Sequence, residues 1–152
     1  MIALIQRVNE ASVAVGSQLV DSIEGGLLIL LGVRNDDTEN DAKYLAAKTV
    51  NLRIFGDESE KMNLSLLDNK KEMLVISQFT LHADTRHGNR PGFTDACEPK
   101  KAEELYNFYI NESKELIGYD KVKQGKFGSM MKVKLVNDGP VTIILRSKND
   151  YQ

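Results

Sequence analysis

The sequence predicts an α+β fold in a single domain spanning 1–152, with a curled, largely antiparallel sheet and two helices packed on it. Three observations carry this. Segments with strand patterning outnumber those with helical periodicity, and most connections between them are short enough for hairpins. Just two stretches, opening near Thr38 and Pro99, repeat apolar residues at helical spacing. Two helices cannot cover every face of so many strands, and the apolar surface left over suits a dimer interface.

The opening Ile2-Ala3-Leu4-Ile5 is strand-like. Residues 11–15 alternate, and Gly16-Ser17 offers a tight turn into 18–23. Gly25-Gly26 precedes Leu27-Leu28-Ile29-Leu30-Leu31, a continuous apolar run typical of a strand covered on both faces. Thr38 and Asp41 form a capping-box pattern ahead of Ala42, Leu45, Ala46, Thr49 and Val50, which recur as one helical face. Residues 52–55 read as a short strand ended by Gly56. Leu64, Leu66 and Leu67 suggest a brief edge strand within a polar stretch. Residues 73–81 read as one strong strand. Residues 82–97, rich in Gly, Pro and charge, form a loop longer than usual, which points to function or mobility. A second helix opens at Pro99, with Ala102, Leu105, Tyr106 and Tyr109 as its apolar face. Residues 121–123 make a weak strand, 131–136 a half-buried one, and 141–145 a last one.

A chain of 152 residues suits one domain and buries roughly 70% of its unfolded surface without a staple. The longest apolar run, 27–31, is far short of the roughly 18 residues of a membrane helix, so no membrane association is expected. The opening lacks a basic segment followed by a long apolar stretch, which argues against a signal peptide. The single Cys97 has no internal disulfide partner, and a reducing, cytoplasmic setting is expected. A net charge of −2 and a pI near 5.7 weigh against general, backbone-driven nucleic-acid binding.

Standard catalytic sets are missing. The sequence has no G-x-S-x-G elbow, no phosphate-cradling glycine loop and no Cys/His metal spacing. Ser77, His82 and Asp84 make a triad only on paper, because an unbroken strand puts Ser77 and His82 on opposite faces. Cys97 has no placeable His partner and reads as a small hydrophobe. His82 and His87, without a third ligand, read as loop residues rather than metal ligands.

Two segments stand apart. Ser77-Gln78-Phe79-Thr80-Leu81 places three hydrogen-bonding side chains at the end of an apolar strand, with Gln78 and Thr80 on one face by alternation. On spacing alone this is a strand end whose polar side chains face solvent. Asn137-Asp138-Gly139-Pro140 consists of turn formers and reads as a hairpin turn with a trans Gly-Pro bond.

Together these segments carry a resemblance. The chain resembles the D-aminoacyl-tRNA deacylase family over nearly its whole length, from Met1-Ile2-Ala3-Leu4-Ile5-Gln6-Arg7-Val8 through Gly25-Gly26-Leu27-Leu28 and Leu52-Arg53-Ile54-Phe55. The S-Q-F-T-L-x-A element lies at 77–83, the N-x-G-P-V-T element at 137–142, and Asn89-Arg90-Pro91 matches a family loop.

The resemblance implies a homodimer with a β-barrel-like core, acting on the 3′-terminal adenosine of tRNA that carries an ester-linked amino acid. It implies a cis Gly139-Pro140 bond that reaches into the partner's pocket, where Ser77, Gln78, Phe79 and Thr80 hold the ester. Crowding by that turn leaves room only for hydrogen at one position on the substrate Cα. D-aminoacyl-tRNA passes, L-aminoacyl-tRNA is rejected, and glycyl-tRNA is expected to pass. The ester is already activated, so the ribose 2′-OH is expected to assist and no protein nucleophile is required. Pocket or RNA contacts are expected from Arg7, Phe127, Gly128, Ser129, Met131, Arg86, Arg90 and Asn137, with Lys100, Lys132 and Lys134 as further RNA candidates. No metal and no cofactor is expected.

Some positions depart from the family pattern. His82 replaces a common Tyr, Arg86-His87 a lysine site, Ser129 an Ala and Gly92 a frequent Ser. Three other readings stay open: a relaxed-specificity deacylase of the same fold, a non-catalytic nucleic-acid-binding dimer, and a hydrolase of small D-amino-acid esters or amides.

Overall fold

A computed structural model describes residues 1–147. Its strands are β1 (Ile2–Val15), β2 (Gln18–Ile23), β3 (Gly26–Gly32), β4 (Phe55–Gly56), β5 (Met62–Leu64), β6 (Glu72–Ser77), β7 (Val122–Gln124) and β8 (Met131–Arg146). Its helices are α1 (Glu39–Val50), α2 (Leu66–Asn69) and α3 (Pro99–Ile117), with 3₁₀ turns at Phe79–His82 and Tyr119–Lys121.

β1 organises the sheet. On one side its first half pairs β3 and its second half pairs β2; on the other side it pairs β8 along its length. These pairings are antiparallel, as expected. The remaining two, β3 with β6 and β6 with β7, are parallel. Parallel neighbours need crossover connections. The chain from β3 to β6 runs through α1 and α2, and that from β6 to β7 runs through α3. The sheet is therefore mixed and nearly closed, and it carries three helices where two were expected.

β3 shows why the sheet holds together. Leu27, Ile29 and Leu31 join the core shared with Leu45, Ala46, Tyr106 and Tyr109 of α1 and α3. Leu28 turns to the opposite face and joins Val8, Ala11, Val13, Ile23, Leu74 and Ile76 inside the curl. Each such buried Leu or Ile contributes about 1.5–3 kcal/mol. Tyr109 ties the two long helices together, donating its hydroxyl to Thr49 Oγ1 at 3.0 Å.

The helix starts follow their sequence signals. The Asp41 carboxylate accepts the Thr38 N–H at 2.9 Å and the Thr38 hydroxyl at 2.7 Å. Glu98 caps α3 by accepting the N–H groups of Lys100 and Lys101 at 3.0 and 2.7 Å, with Pro99 opening the helix. The edge strand expected over 64–67 ends at Leu64, because Ser65 and Asp68 cap each other and start α2. The strand expected over 52–55 shrinks to Phe55–Gly56, with Gly56 inside it.

Two differences bear on the site. The strand expected over 73–81 ends at Ser77, and Phe79–His82 coils into a 3₁₀ turn. Residues 137–140 are no hairpin: β8 continues past them on the same partner, with Asn137 opposite Val8 and Thr142 opposite Gln6. Residues 138–141 form an outward bulge opposite Arg7. Turn-forming residues relax the ladder there without reversing the chain. The Gly139-Pro140 bond is cis, where local sequence favoured trans.

Among the described residues no helix is long and apolar enough to cross a membrane.

Candidate functional site

The parallel strands β3, β6 and β7 end at one edge of the sheet, and the first site element lies there. Gln78 N–H donates to Leu31 O at 2.8 Å, extending the β6 ladder by one residue. The 3₁₀ turn then lifts Phe79 and Thr80 to the surface, Phe79 being 57% exposed. At the start of a helical turn, N–H groups have no partner within the turn, so those of Phe79 and Thr80 suit a developing oxyanion. Gln78 donates its side-chain amide to the Thr80 hydroxyl. The two side chains do meet, through the turn rather than through strand alternation.

Residues 125–131 form a neighbouring wall. Gly125 N–H donates to Val75 O at 2.9 Å, which ties the segment to β6 just before Ser77. A Cβ at Gly125 would meet Met131 Sδ at 2.7 Å and Ile76 Cδ1 at 3.0 Å, so a side chain there would push these two side-chain ends aside. Phe127 packs at 5.6 Å against Tyr106, whose hydroxyl donates to Val75 O at 2.8 Å. Gly128 is exposed, while Phe127, Ser129 and Met131 are half-buried.

The 82–97 loop leaves directly from the 3₁₀ turn. Asp84 and Gly92 exchange two backbone hydrogen bonds of 2.8 Å, which closes 85–91 into a projecting hairpin. Arg86 bonds both Asp84 carboxylate oxygens, at 2.9 and 2.8 Å, and holds that carboxyl well below the usual range. Arg90 is exposed on the same hairpin. Phe93, just past its base, meets Phe79 edge-on with ring centroids 5.1 Å apart.

The second site element is the bulge in β8. Asn137 spans it, accepting the Val141 N–H at 2.8 Å and donating to Val141 O at 3.1 Å. Arg7 Nε donates to Asp138 O at 3.1 Å and lies 3.0 Å from the Asp138 carboxylate, and its other arm donates to Ile54 O. Gln6 and Asn137 both reach the Thr142 hydroxyl, at 3.2 and 3.3 Å. Gly139 has φ +137°, and an added Cβ would lie 2.7 Å from Val141 Cγ2 and 3.2 Å from Arg7. Gly139 and Pro140 are thus held out to solvent on a clamped backbone.

The two elements are far apart within one chain. Ser77 pairs Leu31, which pairs Ala3, whereas the bulge faces Arg7, four residues further along β1. The two elements therefore leave the sheet three strand positions and four residues apart. A groove of about 950 Å³, lined by Asn9, Glu10, Glu24, Glu72, Lys121 and Lys134, lies at the amino end of β6, away from Ser77 and Thr80. Its opposed charges mark no single ligand chemistry.

His82 is buried against Gly32, and among the described residues its Nε2 has no hydrogen-bond partner. Burial pushes its pKa down. Burial likewise raises the Cys97 thiol, unlike an activated nucleophile. Among the described residues no group of three or more His, Cys, Asp or Glu is placed to hold a metal.

Sequence reasoning missed Phe93, Gln6 and Thr142. The last two lie within motifs that were read for other residues. Phe93 carried no signal beyond being aromatic in a polar loop.

The family model described as D-Tyr-tRNA(Tyr) deacylase matches residues 4–146. The chain is 51% identical over 151 residues to the D-aminoacyl-tRNA deacylase of Thermosipho melanesiensis, covering 99% of this chain and 100% of that protein. It is 55% identical, with the same coverage, to that of Caldicellulosiruptor saccharolyticus. Among solved structures, one named c-Myc DNA Unwinding Element Binding Protein superposes with a TM-score of 0.93 at 40% identity, covering 97% of this chain and 99% of that one. A probable eukaryotic D-amino acid tRNA deacylase shares the fold, with a TM-score of 0.83 at 15% identity, covering 95% and 97%.

Proposed function

The chain belongs to the D-Tyr-tRNA(Tyr) deacylase family and is a D-aminoacyl-tRNA deacylase, an ester hydrolase; from that premise we propose that two copies of it assemble each active site. The observation that carries this is the separation of the two motifs. Each is exposed and held in fixed geometry, yet they leave the sheet of one chain three strand positions apart. In a two-fold dimer the bulge of one copy meets the pocket of the other.

In this reading Ser77, Gln78, Phe79 and Thr80 hold the ester of the 3′-terminal adenosine, with Phe127, Gly128, Ser129 and Met131 alongside. Gly139 and Pro140 of the second copy crowd one position on the substrate Cα. Hydrogen fits there and Cβ does not, so D-aminoacyl and glycyl esters pass while L-aminoacyl esters are excluded. Arg7 and Asn137 hold the bulge in place. The N–H groups of Phe79 and Thr80 stabilise the oxyanion, and the ribose 2′-OH assists attack, without a protein nucleophile. Arg86 and Arg90, with Lys100, Lys132 or Lys134, contact the RNA. Such an enzyme works where aminoacyl-tRNA is made, in the cytoplasm.

The test is release of amino acid from matched D-tyrosyl-, L-tyrosyl- and glycyl-tRNA. Hydrolysis of the first and third but not the second supports the filter; an untouched glycyl ester contradicts it. The name of the 40%-identical structure favours a second reading, a nucleic-acid-binding protein. Binding of DNA or RNA without hydrolysis of any of the three esters would select it.

A further inference from the structure

We propose that Phe79 and Phe93 form a stacking ledge for an unpaired base of the tRNA 3′ strand, one step before the terminal adenosine. The proposal rests on the tRNA-ester reading above. The two rings come from different segments, one from the 3₁₀ turn and one from the far side of the 82–97 loop. They meet edge to face at 67°. Both stay exposed, Phe79 at 57% and Phe93 at 37%.

Their surroundings indicate the occupant. Phe79 adjoins Thr80, where the ester is held, so whatever covers the rings lies immediately beside the reacting end. Phe93 is fixed by the Asp84–Gly92 pairing at the base of a hairpin that carries Arg86, His87 and Arg90. Exposed aromatic rings beside the exposed guanidinium groups of Arg86 and Arg90 match a single-stranded nucleic acid, whose bases stack and whose phosphates seek positive charge. The net charge of −2 argues against a general, backbone-driven grip on a long duplex.

The experiment compares kcat/KM on D-tyrosyl-tRNA with kcat/KM on the D-tyrosyl ester of adenosine alone, for wild type, Phe93→Leu and Phe93→Trp. The ledge predicts that Phe93→Leu lowers the tRNA-to-nucleoside ratio by about 5- to 100-fold and that Phe93→Trp, which keeps a stacking face, holds it near wild type. A ratio unmoved by Phe93→Leu, or equal loss on both substrates, overturns the ledge. A changed sedimentation coefficient in Phe93→Leu also overturns it, because the rings then serve an interface between copies. A wild type that cleaves neither ester overturns the tRNA-ester reading itself, and the ledge with it.

Discussion

Arg7 and Asp138 are joined twice, by a 3.1 Å hydrogen bond from Nε to the Asp138 carbonyl and by a 3.0 Å ion pair to its carboxylate. Through this contact a residue near the start of β1 fixes the backbone immediately before Gly139. Lys keeps the charge but loses the planar fork that also reaches Ile54. Arg7→Lys should therefore lower D-tyrosyl-tRNA hydrolysis by about 10- to 100-fold, the equivalent of one charge-assisted hydrogen bond. The ratio of D to L hydrolysis should fall with it. An unchanged ratio would detach Arg7 from the filter.

Gly139→Ala puts a Cβ into a left-handed conformation and within 2.9 Å of Val141 N. Val141 Cγ2 would lie at 2.7 Å as well, and neither Val141 atom is the free end of a flexible side chain, so the bulge must move. The strain is about 1–3 kcal/mol, confined to an exposed segment. The variant should fold, with a modest fall in melting temperature, and should lose most of its D-specific activity. Full activity with unchanged discrimination would show that the bulge plays no part.

Thr80→Ala removes one hydroxyl, partnered by Gln78, and leaves the Phe79 and Thr80 backbone N–H groups in place. A loss of about 2- to 12-fold is expected, as for one neutral hydrogen bond. Substrate ending in 2′-deoxyadenosine should lose far more. Equal turnover of the ribo and deoxy esters would remove the 2′-OH from the mechanism.

Burial lowers the pKa of His82 from its ordinary 6.5, with the N-terminal ammonium and Arg34 pressing the same way, and the Gly32 backbone and Asp37 opposing. Above about pH 6.5 the ring is neutral in both the folded and unfolded states, and folding carries no penalty. As pH falls below 6.5 the unfolded chain takes up a proton that the folded chain resists. Stability should then drop, at no more than about 1.4 kcal/mol per pH unit. Urea melts of wild type and His82→Phe between about pH 7.5 and 5.5 check this: the variant should show the flatter profile, and equal slopes would assign the acid loss elsewhere.

Local signals were legible wherever neighbours in sequence decide the structure. Thr38 with Asp41, and Pro99, started their helices where expected, and the run from Leu27 to Leu31 is buried on both faces. Non-local pairing was not legible. The turn formers of 137–140 look the same in a hairpin as in a bulge, and the difference is set by β1, some 130 residues upstream. Phe79 and Leu81 fit a strand pattern, yet the chain leaves the sheet after Gln78. The parallel β3–β6 pair likewise depends on the crossover through α1. The candidate site was legible as two motifs, but not as two places far apart, because separation is a property of the sheet.

The central claim is that pocket and bulge act from different copies, and mixing two crippled variants tests it most directly. Thr80→Arg blocks the pocket and Gly139→Val displaces the bulge, so each pure homodimer should be inactive on D-tyrosyl-tRNA. Co-expressed in equal amounts, random pairing leaves one intact composite site in each mixed dimer, and activity should recover to about a quarter of wild type. A mixture as inactive as its parents, with mixed dimers confirmed by mass, would contradict a site shared between subunits.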